Sequence, residues 1–99
     1  MNTKERQLSA VEAEIARERA ESLANGARRL RVSLDSLRSF DAGTELGKDR
    51  AQLLATASEA CLCYLVQREV MGLGARDAEA IRTDFDVPPD VWNNMGSLR

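Results

Sequence analysis

Residues 9–40, SAVEAEIARERAESLANGARRLRVSLDSLRSF, decide the fold. Leu23, Leu30 and Leu37 fall seven residues apart, and Ala13, Ala20, Ala27 and Leu34 alternate with Ala16, Leu23, Leu30 and Leu37 at three-and-four spacing. On an α-helix that spacing holds one narrow seam along one side for about four heptads, the pattern of helix-to-helix contact. Ser9-Ala-Val-Glu12 has the form of a capping box, in which hydroxyl and carboxylate each satisfy an amide at a helix start. The first helix is therefore expected over residues 9–40, with Leu8 before the cap and residues 1–8 frayed.

A second stripe, Leu8, Val11 and Ile15, lies about 100° around the same helix, so its first turns are expected to meet a different neighbour from the rest. Arg17 with Glu21, and Arg31 with Asp35, have i,i+4 spacing and are expected to pair on the solvated face. Asn25-Gly26 is the point of tension. Such a dipeptide often makes a turn and costs roughly 1 kcal/mol or more inside a helix. The heptad phase nevertheless survives from Leu23 across to Ala27 and Leu30, which favours a continuous or gently bent helix. A break there would make a four-helix monomer instead.

Residues 41–48 carry two glycines and no strong period, and read as the connection of a helical hairpin. The second helix is expected over about 49–71, with Gly72 as its C-terminal cap. Leu53, Leu54, Ala57, Cys61, Leu65 and other apolar residues cover most of its circumference, and only Gln52, Thr56, Glu59 and Gln67 form a polar strip. Such a helix needs neighbours on more than one side. After a break at Gly72-Leu-Gly-Ala, Asp77 is a candidate cap for a short helix through Ile81 to Asp84 or Phe85. Val87-Pro88-Pro89-Asp90 then forces extended backbone, and a last short helix follows from Asp90 to Met95, closing at Gly96.

The composition fits this: 43% hydrophobic, 30% charged, 2 Pro and 6 Gly in 99 residues. The expected fold is all-α, a long helical hairpin with two short C-terminal helices, in a single domain spanning residues 1–99. The string Tyr64-Leu-Val-Gln67-Arg68-Glu69, the Gly72 after it, and the later Phe85-Asp-Val87-Pro88 with Val91 and Gly96 resemble a family of small uncharacterised proteobacterial α-helical proteins. The resemblance implies a helical fold, and it brings no activity and no catalytic residue with it.

Length bears on assembly. Thirty-odd helical residues at 1.5 Å each span roughly 45–50 Å, whereas a compact domain of this size has a radius of gyration of about 13 Å. A second helix of about 23 residues cannot cover the first, so a second copy is expected along the seam Ala20, Leu23, Ala27, Leu30, Leu34 and Leu37, in a dimeric helical bundle. Basic Arg17, Arg31 and Arg38 at e positions find few acids in a parallel pair, which favours an antiparallel or four-helix arrangement. The competing reading packs the seam inside one chain against the second helix.

Chemistry finds little to stand on. There is no His, phosphate loop or nucleophile elbow, and Cys61 and Cys63 sit roughly 200° apart on a helix, unsuited to one disulfide or one metal. Both are expected to be reduced and to serve as small packing residues. No catalytic residue, cofactor or metal is assigned, and an enzyme is not expected. The net charge of −2 exerts no pull on nucleic acid. Residues 77–95 could form a helix-turn-helix bearing Trp92 and Asn93, but the segment is acidic where a reading helix needs Lys or Arg. Arg28, Arg29, Arg31 and Arg38 do not share a face and have no interleaved aromatics, so they read as solvated surface. With a charged N-terminus and no long apolar window, no membrane association is expected and the compartment is cytoplasmic. The function expected is that of a helical interaction or regulatory module that self-associates, with another protein as a further candidate partner. A DNA-binding regulator and a small-ligand-binding bundle are the alternatives.

Overall fold

The computed structural model describes residues 2–44, 47–73 and 78–98, and every regular element among them is an α-helix. The first, α1 (Thr3–Asp41), runs for 39 residues, roughly 58 Å, and accounts for nearly all of the molecule's 61 Å longest dimension. It begins six residues before the position expected from the Ser9 box, because an earlier box is used. The Asn2 side chain accepts from the Glu5 N–H at 2.9 Å, and a Glu5 carboxylate oxygen accepts from the Asn2 N–H at 3.3 Å. Residues 3–8 are mostly good helix formers, so nothing stops the helix from continuing back to that cap.

The helix also passes through Asn25-Gly26 without a break. Gly26 is buried and is not among the residues of positive φ, so its value lies in what it lacks. A Cβ at that position would lie 3.3 Å from Tyr64 Cδ1 and 2.6 Å from Gln67 Oε1, on the helix that packs across it. Close approach of two helices, rather than a turn, explains the residue.

That partner is α2 (Arg50–Val70), capped by Asp49, whose carboxylate accepts from the Ala51 N–H at 3.0 Å. It ends as expected at Gly72, where φ is +78°. The Gly72 and Leu73 amides donate back to the carbonyls of Glu69 and Arg68 at 3.0 and 2.9 Å, the paired bonds of a Schellman closure. Two short helices follow, α3 (Ala78–Asp84) and α4 (Pro89–Ser97), the latter starting with Pro89 in its first turn and running through Gly96 to Ser97 rather than closing at it. The expected cap Asp77 lies outside the described residues, as do Glu45 and Leu46 of the hairpin connection and Gly74 and Ala75 of the later break.

The core sits at the C-terminal end of α1. Leu30, Leu34 and Leu37 meet Ala57, Cys61, Tyr64 and Leu65 of α2, while Ile81, Val87, Val91 and Met95 close the end. Phe85 and Trp92 pack against this cluster half-buried, so the C-terminal apolar residues form a lid on the bundle. One buried polar group is accommodated. The Ser58 hydroxyl donates to the Leu54 carbonyl at 2.7 Å and accepts from the Asn94 amide at 2.9 Å, tying α2 to α4.

Arginines lock the same end from outside. Arg38 donates to the carbonyls of Phe85 and Asp86 at 2.8 and 2.6 Å, just where α3 finishes and Asp86 takes a left-handed φ of +50°. Arg50 grips Asp41 through two bonds of 2.8 and 3.1 Å and reaches Asp90 at 2.8 Å, joining the ends of α1, α2 and α4. Hydrogen bonding from Arg50 holds the Asp41 carboxyl below the usual carboxylate range, and the two acids raise the Arg50 pKa in turn. These side chains are about half exposed, so the network aligns helix ends more than it stabilises them. The expected i,i+4 pairs are not the ones formed. Arg17 turns back to Glu14 at 2.9 Å, Asp35 pairs with Arg38 at 3.4 Å, and Arg31 lies over the Phe85 ring at 5.1 Å, where packing outcompetes a solvated ion pair.

Candidate functional site

The seam expected to join two copies divides in the structure. Leu30, Leu34 and Leu37 are at most 1% exposed, enclosed by α2 and the C-terminal helices of the same chain. Leu23 and Ala27 are half-buried against that core, and Ala20 lies free on the surface. From Leu23 onwards the heptad seam is thus an intramolecular contact, and a second copy could reach it only by displacing α2.

What stands open is the other half of α1. The Gln67 amide donates to the Ser22 hydroxyl, tying the two long helices together there, and every residue from 2 to 22 is exposed. These residues form a bare helical arm about 30 Å long. Leu8, Val11 and Ile15 lie on it at 60%, 55% and 42% exposure, with Glu12, Glu14, Glu18 and Glu21 around them. The consequence is visible in the whole molecule. Its accessible surface is 6796 Å², against roughly 5600 Å² for a compact monomer of 10.9 kDa, and its radius of gyration is 17.4 Å against about 13 Å.

Beside the base of the arm, α1 and α2 leave an open groove of about 700 Å³. Arg28, Arg29 and Val32 line one wall, and Thr56, Glu59 and Cys63 the other. Val32 is 61% exposed. Arg28 donates to the Asn25 side chain at 2.8 Å, and neither Arg28 nor Arg29 has an ion-pair partner among the described residues.

The two cysteines separate as helix geometry requires, both unpaired. Cys61 is in the core, where burial pushes its thiol up to about 11, and Cys63 faces the groove. Only Cys61 is therefore a packing residue, a correction for Cys63. Since thiolate is the reactive form, Cys61 should resist an alkylating reagent at pH 8 until the chain unfolds, whereas a Cys63→Ser protein should show no fast-reacting thiol. Mass spectrometry of timed aliquots reads both rates, and prompt labelling of Cys61 in the native protein would contradict this core.

Val91 and Met95 of α4 are buried and Asn94 is bonded to Ser58, while the exposed side carries Asn93. Arg82 of α3 sits over the Trp92 ring at 5.5 Å.

Taken together these elements define a small all-α protein: a helical hairpin closed at one end by two short helices and extended at the other by a solitary arm. The chain belongs to a family of unknown function (DUF6665), whose family model matches residues 1–99, in keeping with the resemblance to an uncharacterised helical family. No curated protein matches it, and no solved structure does. No helix among the described residues is long and apolar enough to cross a membrane.

Proposed function

We propose that this chain is a helical interaction module that self-associates through α1 and has no catalysis of its own. The observation that carries the reading is the bare arm. Residues 2–22 are exposed throughout and account for much of an excess surface of about 1200 Å², whereas a standard protein interface takes about 800 Å² from each partner. Most helical stability in proteins comes from packing of an amphipathic face, so the arm gains stability when a partner covers its apolar side. The reading takes the cytoplasm as its compartment, where two unpaired thiols stay reduced.

Light scattering on the purified protein tests the assembly. The expected mass at tens of micromolar is twice the 10.9 kDa of one chain, and Ile15→Glu, on the exposed stripe, should return it to one chain with its helical circular dichroism intact. A wild-type protein that stays monomeric with full helicity would overturn the proposal. DNA reading by residues 77–95 has less support, because Asp84, Asp86 and Asp90 surround the junction of α3 and α4 and Arg82 is engaged with Trp92.

A further inference from the structure

The arm and the groove belong to one face of α1. Starting from Leu8, steps of three and four residues pass through Val11, Ile15, Glu18, Ser22, Asn25 and Arg29 to Val32. That line is a second heptad stripe, distinct from the buried seam, and it carries every large hydrophobic residue that α1 exposes: Leu8, Val11, Ile15 and Val32. Its N-terminal end carries three apolar residues, its middle is polar, and Val32 closes the other end beside the stems of Arg28 and Arg29, so that on reversal the apolar end of one copy meets Val32 and the arginines of another.

We propose that the arm of one copy docks into the α1–α2 groove of a second copy, and reciprocally, so that two α1 helices run antiparallel about a two-fold axis near Ala20. In this register Leu8 lies opposite Val32, Val11 opposite the stem of Arg29, and Ile15 opposite Asn25, each layer pairing an a with a d position as antiparallel coils require. Charge supports the same register. Glu14 of the arm falls beside Arg28 of the groove on the flank of the Ile15 layer, and Glu12 comes level with Arg28 and Arg29, which have no ion-pair partner among the described residues. On α2, Cys63 is followed at three-and-four spacing by Val66 and Val70, exposed at 41% and 81%, which extend the apolar wall towards the two-fold axis. Each copy would thereby cover surface of the size its shape leaves in excess. The proposal rests on the self-association reading and specifies its geometry.

Disulfide trapping tests it. Leu8→Cys with Val32→Cys, in a Cys63→Ser background, should give a covalent dimer as the main product of mild oxidation. The two positions are about 36 Å apart along one helix, too far to close within a chain. Val11→Cys as the single added cysteine in the same Cys63→Ser background should give no covalent dimer, because its copies lie about 27 Å apart in this register and adjacent only in a parallel pair. In unoxidised protein Glu14→Arg should weaken association roughly tenfold or more, with Arg28→Glu restoring it in the double variant. Labelling of Cys63 in the wild type should slow as concentration rises into the associated range. A dimer by light scattering that traps through Val11→Cys, or not through the Leu8 and Val32 pair, overturns the register and leaves self-association standing. A monomer at all concentrations overturns both.

Discussion

Leu34→Ala should lower stability by about 2–5 kcal/mol, the range for removing a fully enclosed leucine and leaving a cavity. Leu34 is 1% exposed and sits between Leu30 and Leu37 on the stretch of α1 most deeply buried in the core. A chain of 99 residues has roughly 5–15 kcal/mol of stability in all, so the change removes a large share and should lower the melting temperature by roughly 10–30 °C. Leu98→Ala is the matched control: the same chemistry at a site 48% exposed outside the core, expected within about 0.5 kcal/mol of wild type. Urea unfolding followed by circular dichroism reads both, with a shifted midpoint and an unchanged slope for Leu34→Ala. Equal midpoints for the two variants would mean that the seam of α1 is not enclosed by α2. The seam would then be open to a second copy, the arrangement that the heptad spacing by itself predicts.

That expectation and its outcome show what a heptad pattern can convey. Periodicity at Leu23, Leu30 and Leu37 identifies the face of a helix that loses contact with water, and it does so equally for a partner within the chain or from another chain. The structure places α2 of the same chain there. The bare arm, by contrast, follows from a mismatch of lengths that was legible in outline, since a helix over 49–71 cannot cover one over 9–40, and the 39 residues of α1 against the 21 of α2 widen it. The outward stripe was legible only as far as Ile15, because Glu18, Ser22 and Asn25 interrupt its apolar character before Val32 resumes it.

Local signals fared according to their uniqueness. Asp49 and Gly72 stand alone at the ends of an apolar run and mark α2 well. Two capping boxes compete at the start of α1, and spacing alone cannot rank the Asn2 box above the Ser9 box. The Arg38 clamp on the end of α3 had no sequence signal, since it depends on carbonyls forty-seven and forty-eight residues away. The Arg17 and Asp35 pairings depended on side-chain choices worth a few tenths of a kcal/mol, too small to read from spacing.

Gly26→Leu should have the next largest effect, and its contrast with Gly26→Ala tells what the glycine is for. Alanine gains up to about 1 kcal/mol in helix propensity. Its Cβ meets the tip of Gln67, a flexible side chain, and the Tyr64 ring at 3.3 Å, which must yield by a few tenths of an ångström. These effects oppose one another, so Gly26→Ala should stay within about 1 kcal/mol of wild type. Leucine adds three further atoms into the same gap. It must push aside Tyr64, which is 8% exposed and packs edge-on against Phe85 with ring centroids 5.5 Å apart. The strain therefore passes from the base of the arm to the lid of the core, and a loss of about 1–3 kcal/mol is expected from overpacking, with the near-ultraviolet dichroism of Tyr64 altered. A glycine kept for a turn would behave otherwise. Alanine and leucine would then cost alike, because both would meet the same forbidden backbone angle. If the two variants prove equally destabilised, α1 bends at Asn25-Gly26, the arm no longer continues the line of the core helix, and the stripe from Leu8 to Val32 no longer lies on one face. A cost that grows with side-chain size keeps that face intact, and with it the surface on which self-association depends.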